Sequence, residues 1–246
     1  MRGICVLAIV AGCGRIDFDP ETLDASSDAL ASSDAVASCA TSGDWVLIQV
    51  NGNSNDNGVP TLPLAITATS GGDMMIVAVQ GQAPGVATVV ADGAGSLYTR
   101  LDGTAGTDAV AGNTVEIWYS SAVGGGANDV DVTFSTLSYA IVAWEFQTPK
   151  PAVVDTVAQL SNEAASTTPV SPTITTRCAN EIVVAALISG AVNGSATGNE
   201  FNNDSGANFN GWAHLTDPHA PAGLHTAAWT SGNTSYCSSA AAFIVE

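Results

Sequence analysis

The chain has 246 residues, a formal net charge of −18 and only 11% charged residues, against about 25% in an ordinary soluble domain. Its basic residues are Arg2, Arg15, Arg100, Lys150 and Arg177, too few to neutralise phosphates over a sizeable footprint, so nucleic acid is excluded as a partner. The same deficit excludes electrostatic attachment to anionic lipid.

The chain opens Met1-Arg2 and continues into a short apolar run over residues 4–11, ending on the small residues Ala11 and Gly12. A charged start, an apolar centre and small residues at the end make the layout of a secretory signal. The run falls well short of the roughly 18 apolar residues that span a bilayer as a helix. Val10-Ala11-Gly12-Cys13 resembles the lipobox of bacterial lipoproteins. That resemblance implies cleavage before Cys13, alkylation of its sulfur with diacylglycerol and a further acylation of the new amino terminus. A thiolate is the soft nucleophile that such alkylation needs, and more than one acyl chain is needed for a durable anchor. Gly14 follows the cysteine where aspartate would retain a lipoprotein at the inner membrane, so the resemblance implies the outer membrane or cell surface of a Gram-negative bacterium, with the bilayer as a partner through Cys13.

Residues 14–42 scatter Asp17, Asp19, Glu21, Asp24, Asp28 and Asp34 among alanines and serines. So little apolar surface cannot offset chain entropy, and a disordered tether is expected, spanning roughly 30 Å as a flexible coil. Residues 43–246 are ample for one core and are expected to form a single domain.

Within that domain the hydrophobic period is two. Val130, Val132 and Phe134 alternate with Asp129, Asp131 and Thr133, and Val115, Ile117 and Tyr119 alternate with Glu116 and Trp118; these are half-buried strands of an antiparallel sheet. Residues 74–79, 139–146 and 182–188 are apolar on both parities, as strands covered on both sides should be. Turn signals such as Gly71-Gly72-Asp73, Asp92-Gly93, the triple glycine at 124–126, Asn193-Gly194 and Asp217-Pro218 punctuate these runs. The expected fold is all-β: an antiparallel two-sheet sandwich, jelly-roll-like. A weak internal repeat accompanies it, residues 69–78 paralleling 176–185, and 139–146 paralleling 236–243.

The segment Asp92-Gly-Ala-Gly-Ser-Leu-Tyr-Thr-Arg100, the triplet Ile117-Trp118-Tyr119 before a Gly-rich turn at 122–128, and the strand end Ala143-Trp144-Glu145-Phe146 together resemble a β-sandwich domain that recurs in bacterial secreted and surface proteins. The likeness runs over residues 45–246, and its motifs are structural; it implies a fold and no particular activity.

With Cys5 in the leader and Cys13 lipidated, Cys39, Cys178 and Cys237 remain. An exported chain is expected to pair two of them. A Cys178–Cys237 bridge is favoured, because Cys178 precedes one core strand and Cys237 opens the last; closing that loop contributes on the order of 4 kcal/mol in the chain-entropy model. Cys39 is then free or available to a partner, while Cys39–Cys178 and Cys39–Cys237 stay open, since connectivity is not legible in spacing.

Candidate chemistry is sparse. His214, His219 and His225 flank Asp217, but their spacing matches no zinc signature and no metal site is assigned. Asn51, Asn53, Asn55, Asp56 and Asn57 form one oxygen-rich segment, and Glu200, Asn202, Asn203 and Asp204 another. Calcium takes such ligands, so a structural calcium is the one cofactor the composition admits. Among Trp45, Trp118, Trp144, Trp212 and Trp229, the one placed for ligand contact is Trp212, in a polar stretch beside His214. Nucleophile elbow, zincin, phosphate-loop and dinucleotide signatures are absent from the sequence, and the carboxylates Glu116, Glu145 and Glu200 show no glycosidase spacing. The reading is therefore a tethered, non-enzymatic β-sandwich for adhesion or envelope interaction, with another surface protein or a glycan as partner. A lectin-like module is the alternative and a hydrolase a distant third.

Overall fold

A computed structural model describes residues 39, 44–82, 85–108, 110–189, 193–196, 200–204 and 210–245. Among the described residues sixteen strands follow in order: β1 (Val46–Ala65), β2 (Met74–Gln82), β3 (Ala87–Asp92), β4 (Thr99–Arg100), β5 (Gly106–Thr107), β6 (Thr114–Ser120), β7 (Asp129–Gln147), β8 (Ala152–Ser166), β9 (Ile174–Thr175), β10 (Ile182–Ser189), β11 (Asn193–Ala196), β12 (Phe201–Asn203), β13 (Asn210–Leu215), β14 (Leu224–His225), β15 (Trp229–Ser231) and β16 (Thr234–Val245). Every pairing between them is antiparallel.

The expected all-β, two-sheet sandwich is what the chain forms. Its first sheet runs β1-β7-β2-β6-β4, with β3 added on β7 and β5 on β6; the second runs β8-β16-β10-β13-β12. Each half of the chain thus completes one sheet, whereas successive strands of a jelly roll pass back and forth between the two.

The two sheets repeat one plan, down to register. Leu47 of β1 faces Phe146 of β7, as Val154 of β8 faces Phe243 of β16, and in both edge strands the next residue is a bulge, Ile48 or Asp155. Phe146 pairs with Met74 as Phe243 pairs with Ile182. Ile76 faces Tyr119 of β6 as Val184 faces His214 of β13, and Thr99 and Asn202 extend the last step into β4 and β12. The internal repeat is therefore a duplication of five strands. Its first segment aligns one residue further along than the sequence similarity suggested, so that Asp73 corresponds to Glu181 and Gly72 to Asn180.

Period two explains the layers. Met74, Ile76, Ala78, Val142, Trp144 and Phe146 of one sheet meet Ile182, Val184, Ala186, Trp212, Ala241 and Phe243 of the other in a central core. The opposite parity of the same strands is also buried. β1 and β7 shift register between Ser54 and Thr61. Beyond that shift Leu62, Leu64, Val130, Val132 and Phe134, joined by β3, cover Met75, Val77, Ile141 and Ala143. On the other sheet, residues from β9, β12, β15 and the adjoining loops cover Val183, Ala185, Leu187 and Ala242. The three runs that are apolar on both parities lie between two cores for this reason. Hydrogen bonds cross between the sheets at depth, among them one from the Gln80 side-chain amide to the Leu187 carbonyl at 2.7 Å. It sets the far ends of β2 and β10 together, so the two strands begin at the same end of the sandwich.

The favoured disulfide is corrected by the structure. Cys178 is bonded to Cys39, and Cys237 is a free, buried thiol. Register gives the reason. Cys237 lies opposite Ile188 near the end of β10, whereas Cys178 sits in the turn before its start. Six strand steps, roughly 20 Å, part Ile188 from the start of β10, and Cys178 lies in the turn beyond that start. Burial pushes the Cys237 thiol well above its ordinary pKa, and the nearby Asp108 carboxylate adds to that.

Candidate functional site: imidazoles and carboxyls

The described histidines each stand beside a carboxylate. Asp204 directly follows β12, and β13 delivers His214, whose Nδ1 lies 2.7 Å from Asp204 Oδ2. The same oxygen accepts the Trp144 indole N–H at 2.7 Å, and Oδ1 accepts the Asn202 amide at 3.0 Å. Asp204 is thereby engaged on both oxygens and ties β7 of one sheet to β12 and β13 of the other. His219 is exposed, 3.4 Å from Asp44.

His225, on β14, is the centre of a chain of three. Its Nδ1 lies 3.1 Å from Glu200 Oε2 and its Nε2 3.1 Å from the Thr176 hydroxyl. The carboxylate at Nδ1 fixes the tautomer, so Nε2 accepts from Thr176. Carboxylate, imidazole and hydroxyl in line is the arrangement that activates a nucleophile. Here, however, the hydroxyl also accepts the Gly223 N–H at 3.0 Å, and Thr176 is buried. No substrate carbonyl can reach that oxygen, and the chain acts as a pin between β14 and the residue following β9.

Trp212, the residue placed by the sequence for ligand contact, does not reach the surface. It is 1% exposed and lies over Gly52, where a Cβ would fall inside its ring. Period two puts Trp212 and His214 on the inward parity of β13, despite their polar neighbours. Trp45, Trp144 and Trp229 are buried as well, and Trp118 is half-buried with its indole N–H on Glu116 at 3.2 Å.

The oxygen-rich segments are also spent. Residues 51–57 form part of β1 and not a loop. The Asn51 amide donates to Gln49, the Asn53 amide to the Pro63 carbonyl, and Asn55 Oδ1 accepts the Asn57 N–H. Glu200 and Asp204 hold the two imidazoles. Among the described residues, no three His, Cys, Asp or Glu side chains converge as metal ligands would. Cys13 lies outside the described residues.

Spacing could not reveal the buried carboxyl pairs. Asp73, just before β2, contacts Glu145 of β7, and burial followed by the Glu145 charge pushes its pKa up to about 6. Glu181, just before β10, contacts Asp155 of β8, and burial chiefly pushes it up to about 7. Burial also raises Glu116, against the opposing pull of the Trp118 indole and Arg100. The duplication was the available signal: each acid is the last residue of a turn that opens a central strand. Comparison with protein-family models, with curated proteins and with solved structures gave no match.

Proposed function

We propose that the chain is an exported lipoprotein, held to a membrane through acyl groups on Cys13, whose β-sandwich is a non-catalytic interaction module. The observation that carries this reading is the Cys39–Cys178 disulfide. Such bonds persist in oxidising compartments and are rare where thiols are kept reduced. A lipobox-like start and an acidic Ala/Ser stretch before Cys39 are what an anchored, displayed domain needs. With Gly14 after the cysteine, the outer membrane or cell surface is its station.

Adhesion to another surface protein or envelope component suits the sandwich better than sugar stacking, since four of its five tryptophans are buried and the fifth is half-buried. It suits it better than hydrolysis, because the Thr176 hydroxyl, the one beside an imidazole among the described residues, is capped by Gly223. Replacing Cys13→Ser tests the anchor. The wild-type chain should sediment with membranes and the variant should appear in the soluble fraction; a variant that stays membrane-bound refutes the lipid anchor.

A further inference from the structure

The two central strands begin alike. Gly72 and Asn180 have left-handed backbone, φ 94° and 69°, and the next residue in each turn is a buried acid, Asp73 or Glu181. Each acid is in hydrogen-bonding contact with a second one, Glu145 for Asp73 and Asp155 for Glu181. Two carboxylates have no hydrogen to share, so such a contact exists only while one of the pair carries a proton.

The surrounding donors say which one. Glu145 Oε1 accepts the Ser70 N–H at 3.1 Å and Oε2 accepts the Gln49 amide, so both of its oxygens are taken by donors and the shared proton falls to Asp73. Asp155 Oδ1 takes the Arg177 guanidinium, while Glu181 Oε1 accepts the N–H groups of Arg177 at 2.8 Å and Cys178 at 2.7 Å. Asp73 Oδ2, Asp155 Oδ2 and Glu181 Oε2 are buried and receive no donor from the described residues. Those are the oxygens left for the shared protons. The other charged groups facing the pairs are few. Asp92 and the Tyr98 phenol lie on the Glu145 side, the phenol donating to Asp92 at 3.0 Å, and among the described residues Arg177 is the cation on the Glu181 side.

We propose that these two carboxyl pairs form a proton-operated latch at the end of the sandwich where β2 and β10 begin. With both protons in place, the pairs tie β2 to β7 and the β10 turn to the edge strand β8; Gln49 brings in the other edge strand, β1. With the protons gone, each pair sets two buried negative charges against one another and this end of the sandwich loosens.

The sign follows from linkage. Both acids hold their protons more tightly folded than unfolded, so the stabilisation is complete below pH 4 and is lost as pH rises through 6 to 7. Each pair should lower the ratio of folded to unfolded chain on the order of 10- to 100-fold between pH 5 and pH 8.

Urea unfolding of the full chain at pH 5 and pH 8 tests the proposal, beside Asp73→Asn and Glu181→Gln, singly and together. Amides keep a donor in place and do not titrate. The wild-type midpoint should fall toward pH 8, each single variant should lose part of that fall, and the double variant should be flat. A wild-type midpoint that is level or rises toward pH 8, or a double variant with the wild-type slope, overturns the latch. Calcium chloride that restores the wild-type midpoint at pH 8 also overturns it, by assigning the oxygens to a cation. Should the double variant not fold, infrared spectra of the wild type decide: a protonated-carboxyl C=O band present at pH 5 and lost by pH 8 supports the latch, and its absence at pH 5 refutes it.

Discussion

Gly52 is where a single atom carries the most consequence. β1 passes directly over the Trp212 ring, and only a residue without a Cβ lets the two sheets approach that closely. Gly211 plays the same part beneath Trp229, where a Cβ would stand 2.8 Å from the indole nitrogen. Replacing Gly52→Ala should therefore destabilise the sandwich by about 1–3 kcal/mol, as overpacking of a closed core does, with a lower thermal midpoint and a shifted Trp212 fluorescence. An unchanged midpoint would mean that the ring has room to move. At this scale the sequence is least legible. The polar company of Trp212 suggested an exposed indole, because composition records neighbours along the chain and not the parity that turns every second side chain inward.

Among the elements, β9 and β14 are the least secured. They are two residues each and pair only with one another, in a small ribbon outside the second sheet. The ribbon is held by Ile174, which is buried in the outer core, and by the Thr176–His225–Glu200 chain. Thr176→Val keeps the shape and removes the hydroxyl, leaving His225 Nε2 and the Gly223 N–H without their partner. The expected cost is about 1–3 kcal/mol, appearing as faster hydrogen exchange in residues 173–176 and 223–226 before the sheets themselves open; exchange no faster than in the wild type would show that Ile174 alone holds the ribbon.

Element identity was well legible where the pattern was strict. Val130, Val132 and Phe134 are buried and Asp131 is exposed, as their alternation required. The runs apolar on both parities are strands between two cores. Residues 51–57 were not legible, because asparagine and glycine signal turns while here they occupy an edge strand whose amides satisfy their own neighbours. Pro60 and Pro63 in the same strand remove donors from its outer edge, a common protection against stray pairing.

For the whole molecule, the duplication is the organising fact. Each half supplies one sheet, seven-stranded in the first and five-stranded in the second, and neither can bury its inner face without the other. The half-to-half bond is covalent as well, since Cys39 precedes the first strand of one sheet and Cys178 the central strand of the other, 139 residues apart. In the chain-entropy model a loop of that length is worth about 5 kcal/mol. Cys39→Ser, or reduction of the wild type, should lower the urea midpoint accordingly, whereas Cys237→Ala should leave the disulfide intact. A peptide map with Cys39 linked to Cys237 would contradict the pairing. Sequence could narrow the cysteines to three pairings but not choose, because the choice depends on which end of β10 each thiol meets.

The position of that disulfide also decides how the domain bears a pull. β1 is an edge strand bound to β7 alone, the kind of element that tension from the amino-terminal side would peel away one residue pair at a time. Tension arriving along the chain meets Cys39 first, and through the S–S bond it enters the turn before β10, which is paired on both sides and lies in the middle of its sheet. Unfolding must then shear a central strand against two neighbours at once. In the oxidised protein the sandwich is loaded in shear, and reduction turns the same pull into unzipping.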